Sequence, residues 1–172
     1  DAAQCIFAKN GKKFVGSEGD LSAFSFHETK NINCGEGGML CVNNQDFVDR
    51  AEIIRDKGTN RQAFLRGQAD KYSWQDKGSS YLLSDVQCAF LFSQLEQLDN
   101  VQEKRRKIWD LYESRLSDLK YAGKLEFADY DDGTQHNSHL FFILMKSAEQ
   151  TEDLRIYLLK HSIQAVCHYM PL

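Results

Sequence analysis

Leu21-Ser22-Ala23-Phe24-Ser25-Phe26-His27-Glu28-Thr29-Lys30-Asn31, continued by Cys34-Gly35-Glu36-Gly37-Gly38 and Met39-Leu40-Cys41-Val42-Asn43, is the stretch that decides the fold. Leu21 to Phe26 alternates as a short strand and Met39 to Asn43 reads as a second. The two strands bracket a loop that carries Lys30. A lysine in a strand-flanked, partly buried loop reads as a Schiff-base nucleophile, because an ε-amine condenses with a carbonyl only when its charged form is disfavoured. The alternative is an ordinary solvated loop lysine. Glu36 with Gly37 and Gly38 shapes the turn, since glycine permits close backbone approach.

Moving outward, Ser25 lies five positions before Lys30. Its hydroxyl can hold a phosphate oxygen while the amine reaches the other end of the same small molecule, which suits an aldehyde cofactor bearing a phosphate. Asp1-Ala2-Ala3-Gln4 supplies a carboxylate and an amide three residues apart. That pair fits one group on a pyridinium nitrogen and another on a ring hydroxyl, and a carboxylate on the ring nitrogen makes the ring an electron sink. Taken singly, these residues also read as a strand-end aspartate, an N-cap serine and a surface glutamine.

Further along, Phe47, Val48, Ala51, Ile53 and Ile54 recur at helical spacing over 45–57, with Gly58 as a C′ residue. Residues 58–80 are polar but contain Phe64, Tyr72 and Trp74, which predicts an ordered excursion over a surface or a partner subunit. Ser84 is a candidate N-cap for one long or two abutting helices reaching about Tyr121. In the second part Ile108, Leu111, Tyr112, Leu116 and Leu119 share one side, and the charge run Lys104-Arg105-Arg106-Lys107 reads as a solvated face. Strands are expected near 125–127, 140–145 and 165–169, with a helix over 152–161, so a small α/β or α+β unit begins near residue 122.

Composition narrows the class. The chain has 172 residues, 42% of them hydrophobic, and a formal net charge of −4 with both signs interspersed. That is enough apolar material for a core, and the absence of a basic stripe argues against nucleic acid or an anionic membrane as main partner. No apolar run has the length of a membrane span and the first residues lack the basic and apolar regions of a signal peptide, so the expected location is cytoplasmic. Five scattered cysteines without C-x-x-C spacing indicate reduced, mostly buried thiols, neither a zinc site nor a disulfide framework. His136 and His139 have no matching ligand spacing, and no metal is expected.

Together, Asp1-Ala2-Ala3-Gln4, Phe24 to Asn31 and Gly35-Glu36-Gly37-Gly38 resemble the cofactor motifs of the sugar aminotransferase family, pyridoxal-phosphate enzymes of the aspartate-aminotransferase fold. The resemblance implies an α/β fold: part of the large domain of a fold-type I transferase over 1–98, a connecting helix over 99–121, and the start of the small C-terminal domain over 122–172. It implies pyridoxal 5′-phosphate on Lys30, with Asp1 on the pyridine nitrogen, Gln4 on the ring oxygen and Ser25 on the phosphate. Lys30 then serves as anchor and as proton-moving base.

Ala51 to Arg61, Arg66-Gly67-Gln68, Lys71-Tyr72-Ser73-Trp74 and Gly78 to Asp85 are similar to the family's dideoxygalactose branch. That similarity implies dTDP-4-keto-6-deoxyglucose as acceptor, glutamate as donor, and a place in making enterobacterial common antigen and related surface polysaccharides such as lipopolysaccharide. Much of the family has asparagine at position 80, reaching phosphate across a homodimer interface, and arginine at 82. Ser80 and Leu82 depart from this, although a serine hydroxyl can also donate to phosphate. Arg61 and Arg66 can meet the nucleotide diphosphate or be loop charges. His27 is a substrate contact or a structural histidine, and His168-Tyr169 resembles a C-terminal strand that approaches the sugar. The family's chains are more than twice as long, and their ring-stacking aromatic and phosphate-holding Gly/Thr turn have no counterpart here, so the chain reads as an internal fragment. Two alternatives stand beside the transaminase: a catalytically silent interaction or dimerisation module, and a sugar dehydratase of the same fold, in which histidine replaces the lysine.

Overall fold

A computed structural model describes residues 1–168. The lysine hairpin is present: β3 (Leu21–Ser25) pairs antiparallel with β4 (Gly38–Val42), in a register that sets Leu21 opposite Val42 and Ser25 opposite Gly38. Upstream, β1 (Lys9–Asn10) is the central strand of a small antiparallel sheet, between β2 (Lys13–Phe14) and β5 (Thr134–Gln135). After β4 a 3₁₀ turn (Gln45–Phe47), capped by the Asn44 side chain, leads into α1 (Val48–Arg55), and α2 (Arg61–Leu65) is a short helix in the excursion.

Ser84 is the N-cap of α3 (Asp85–Leu95) and closes a full capping box with Gln87, so two orphan amides are satisfied reciprocally. The helical stretch is two helices, with α4 (Leu98–Tyr121) following α3 after a short break. α5 (Ala148–Lys160) is capped by Ser147 and starts four residues earlier than its apolar periodicity indicated.

The chain divides into two compact units, one of residues 1–106 with 132–139, the other of 107–131 with the chain from 140 onward. α4 contributes to both. In the first unit the core is Phe26, Ile32, Cys34 and Leu91, with Ile6, Leu83, Leu98 and Val101 packed on it. Phe26 and Ile32 therefore bury both flanks of the lysine loop. In the second unit Trp109, Leu125 and Phe127 are buried, and Phe141 packs edge-on to Trp109 and stacks on Tyr112.

Several expectations change. The strands near 125–127 and 140–145 reduce to a single bridge between Glu126 and Leu144, because neither has a further strand beside it among the described residues. Residues 165–168 have no regular structure, and Tyr169 lies outside the described residues. On α4 the side that carries Ile108 and Leu111 is open, whereas Trp109 is the buried anchor. The arginines are not a solvated face: Arg105 donates to the carbonyls of Ser138 and His139, and Arg106 to that of His136. Irregular backbone has no ladder to satisfy its carbonyls, so side chains of α4 do it.

Gly58 sits one residue later than a C′ glycine. Lys57 takes the left-handed conformation at φ +61, and the Gly58 amide closes back on the Ile53 carbonyl, 2.8 Å away. Gly58 is needed for space as well as for its own φ of +74, because a Cβ there would meet the Asp76 carbonyl oxygen at 1.8 Å. Gly67 has a similar φ, +71, with open space around it. Gly67→Ala should therefore cost only the left-handed penalty, about 1–2 kcal/mol. Gly58→Ala should cost several times that by tearing the excursion from the end of α1, and chemical denaturation of the two variants side by side checks the difference.

Candidate functional site

Lys30 is reached by a tight turn in which its amide donates to the His27 carbonyl, 2.9 Å away. The His27 ring is committed inside the same turn. Its Nδ1 lies 2.9 Å from Thr29 Oγ1 and accepts the Thr29 amide at 3.3 Å, so the neutral ring carries its proton on Nε2, which faces the Glu36 carboxylate at 3.6 Å. Beyond the lysine, Asn31 and Ile32 are buried, Ile32 completely. Lys30 itself is half-buried, and among the described residues its ammonium has no hydrogen bond or ion pair. A half-buried amine held on fixed backbone without a counter-charge is what a carbonyl-condensing lysine requires.

Ser25 ends β3, and its Oγ accepts the His27 amide at 3.2 Å, which leaves its own hydrogen available to an anion. Phe26 N–H donates to the Gly37 carbonyl and Cys34 N–H to the Phe26 carbonyl, closing the glycine turn onto the strand end. Gly37 is pressed against Cys34, whose Sγ would lie 2.4 Å from a Cβ there. Gln87 donates to the Glu36 carbonyl at 2.8 Å, so the cap of α3 also holds this turn.

The Asp1–Gln4 segment runs beside β3, joined to it where the Ala2 amide donates to the Ala23 carbonyl at 2.9 Å. Asp1 Oδ1 accepts the Ala3 amide, and the Gln4 side chain is exposed. Asp1 also lines a cavity of about 300 Å³ with Ala2, Lys13, Phe14 and Ser22, which includes neither Ser25 nor Lys30. The chemistry of the Lys30 loop, not the size of this cavity, identifies the candidate site. Asp1, Ser25 and Lys30 thus lie on two neighbouring segments of one unit, and their donor set fits an aldehyde that also carries an anionic group.

The remaining candidates are placed elsewhere. Arg66 makes a two-pronged pair with Glu52, at 2.9 and 2.6 Å, and Arg61 lies 3.4 Å from Asp56. Ser80 is exposed at a bridge to Asp56, on the return of the excursion. Among the described residues no hydrogen bond joins Arg61, Arg66 or Ser80 to the lysine loop. His168 is exposed and belongs to the second unit.

A set of residues not singled out in the sequence also meets behind the lysine. Asn31 Nδ2 donates to Gln102 Oε1 and to the Asn137 carbonyl, and Asn31 Oδ1 faces His139 Nδ1 at 2.7 Å. Their partners lie far apart in sequence, and no local pattern in the sequence points to them.

With this geometry the chain is a lysine-bearing portion of an aminotransferase fold. The putative sugar aminotransferase Spr1654 of Streptococcus pneumoniae, in its PLP form, superposes with a TM-score of 0.81 at 22% identity, over 100% of this chain and 43% of that one. The DegT/DnrJ/EryC1/StrS aminotransferase family matches residues 1–172, and the chain belongs to it. The family is one of pyridoxal-phosphate enzymes. Relatives include the spore coat polysaccharide biosynthesis protein SpsC of Bacillus subtilis, 30% identical over 99% of this chain and 45% of its own length. The UDP-4-amino-4,6-dideoxy-N-acetyl-beta-L-altrosamine transaminase of Campylobacter jejuni is 32% identical over 99% of this chain and 44% of its own length. The chain thus spans less than half the length of these relatives. Among the described residues no helix is long and apolar enough to cross a membrane.

The excursion carrying Arg61 and Arg66 is tied down by carboxylates that titrate low. The Arg66 hydrogen bond holds Glu52 below its usual range. Burial pushes Asp56 up, but Lys57, Arg61 and Gln62 together outweigh it and leave Asp56 lowered. Folded values below the unfolded ones mean that these pairs stabilise fully above the ordinary carboxylate range and that the stabilisation is lost as pH falls through the lowered values. The protection factors of amides over residues 60–75, taken against the intrinsic rate at each pH, should therefore fall below about pH 4, and Glu52→Ala should lower them already at pH 7.

Proposed function

We propose that this chain carries the Schiff-base lysine of a pyridoxal-phosphate-dependent aminotransferase acting on a nucleotide-linked keto sugar in the cytoplasm. The observation that carries the reading is Lys30, half-buried on a backbone turn that its own amide closes onto His27, with an ammonium that has no partner among the described residues. Lys30 would hold the cofactor, and its Nζ would move the proton at the substrate Cα. Ser25 Oγ would hold the phosphate, Asp1 would keep the ring nitrogen protonated, and Gln4 would bond the ring oxygen. When bound, pyridoxal phosphate supplies the electron sink that makes the Cα proton acidic.

Glutamate is the proposed donor and dTDP-4-keto-6-deoxyglucose the proposed acceptor, as in a dTDP-4-amino-4,6-dideoxygalactose transaminase. The segments from Ala51 to Arg61 and from Gly78 to Asp85 support that finer reading. The polysaccharide role of SpsC and the sugar named for the Campylobacter relative support the coarser one. A lysine at position 30 disfavours the dehydratase.

Pyridoxal phosphate added to the full-length protein should give a visible absorption band, and borohydride should fix the cofactor on Lys30, read by peptide mass. Lys30→Ala should abolish both. An untrapped Lys30 would leave the silent-module reading in its place. With an adduct formed, glutamate and a panel of dTDP-, UDP- and GDP-linked 4-keto sugars identify the substrate.

A homodimer is proposed as well, with the excursion covering the partner, supported by Trp74 and Tyr81, which are 74% and 67% exposed. Such bare aromatics on an ordered, tethered segment mark a contact surface. Trp74→Ala combined with Tyr81→Ala should shift sedimentation from dimer to monomer.

A further inference from the structure

The two segments that supply the proposed cofactor contacts, Asp1–Gln4 and Ser25–Lys30, are coupled a second time through a residue remote from both. Asn137 Nδ2 donates to the Gln4 carbonyl at 2.6 Å and to the Ile6 carbonyl at 2.9 Å. Its backbone carbonyl accepts from Asn31 Nδ2 at 2.9 Å and from Gln102 Nε2 at 3.2 Å, and its Oδ1 accepts the His139 amide at 3.2 Å. Gln102 Oε1 takes the other Asn31 amide hydrogen at 3.0 Å.

Each amide can be oriented in only one way. Both Asn31 Nδ2 hydrogens are spent on oxygens, so Asn31 Oδ1 is an acceptor and His139 presents Nδ1–H to it. Asn31, Gln102 and Asn137 are 8%, 7% and 7% exposed. A buried polar network that is satisfied at every member fixes one geometry, whereas a half-satisfied one is costly.

We infer that Asn137 is a positioning residue for Lys30. Its side-chain amide faces the Gln4 and Ile6 carbonyls and makes no hydrogen bond to Lys30, Ser25 or the Asp1 side chain among the described residues. It acts through Asn31, whose side chain it clamps from 106 positions away, and through the backbone of Gln4. Lys30 is thereby held from its C-terminal side by the network and from its N-terminal side by the His27 turn, at a set distance from the Asp1–Gln4 segment. Reactive groups need that constancy, since a displacement of about 1 Å can cost roughly 10²-fold in rate. The inference rests on the reading of Lys30 as the cofactor lysine.

Asn137→Asp tests it, because the variant keeps the shape and the acceptor for His139 but loses both donors to Gln4 and Ile6. Arg106→Gln is the control: Arg106 holds the same loop through the His136 carbonyl but does not enter the network. In cofactor-free, full-length protein, amide exchange at residues 2–6 and 31–33 should rise together by roughly tenfold in Asn137→Asp and stay unchanged in Arg106→Gln. Pyridoxal phosphate affinity and the borohydride trapping rate on Lys30 should fall by a similar factor in the first variant only. Should Asn137→Asp not fold, Gln102→Met, which removes one donor and one acceptor of the same network, takes its place with the same expected pattern. Unchanged exchange in the two segments, or equal effects of the network variant and Arg106→Gln, would overturn the inference. Failure of the wild-type protein to take up pyridoxal phosphate would instead overturn the functional reading, and the exchange measurement separates the two.

Discussion

Three buried side-chain amides, those of Asn31, Gln102 and Asn137, hold together four parts of the chain that have almost no regular structure in common. The constraint behind them is general: a carbonyl or amide that leaves water must find a partner. The segment around 136–140 follows β5 past α4, and among the described residues no strand pairs with it. Its carbonyls are met by Gln102, Arg105 and Arg106 in the first unit. At Leu140, in the second unit, the Trp109 indole does the same at 3.1 Å. α4 is therefore as much a row of donors as an apolar packing surface, and through Gln102 it also hydrogen-bonds the lysine loop, at Asn31.

This also explains what could and could not be read from the sequence. The β3–β4 hairpin, the Ser84 cap and the loop around Lys30 were legible because each is written in local alternation, capping chemistry and glycine placement within a few residues. The role of Arg105 and Arg106 was not, since a basic run on a helix looks the same whether its partners are water or carbonyls. Trp109 is not distinguished from Ile108 and Leu111 by helical spacing, because periodicity ranks residues by hydrophobicity and takes no account of an indole N–H seeking an acceptor. Asn137 has no local signature at all, and its partners become visible only when residues 4, 31 and 102 are brought together. The strands near 125 and 140 have suitable side chains, but a strand is stabilised by its neighbours, and here each has a single bridge.

The hairpin faces are informative in a different way. The register puts Leu21, Ala23, Leu40 and Val42 on one face and Ser22, Phe24, Met39 and Cys41 on the other. Leu21 and Leu40 are 47% and 53% exposed, and on the opposite face Ser22 is buried and Phe24 half-buried while Met39 is 44% exposed. Strands apolar on both faces belong to sheets covered on both sides. That composition agrees with a chain spanning less than half of its relatives' length.

The two arginines of the excursion are unequal candidates for a nucleotide diphosphate, and the reason is geometric. Arg66 already offers a carboxylate the parallel donors that a phosphate would use, and Glu52 accepts both. A diphosphate must displace that carboxylate before it gains anything from Arg66. Arg61 approaches Asp56 through a single nitrogen at 3.4 Å, beyond the usual range of a strong charged pair, and its side chain is half exposed. Asp56 also has Lys57 and Gln62 near it, so turning Arg61 outward would not leave the buried carboxylate without donors. Of the two, Arg61 is the guanidinium that can change partners at low cost, while Arg66 serves the excursion that carries it.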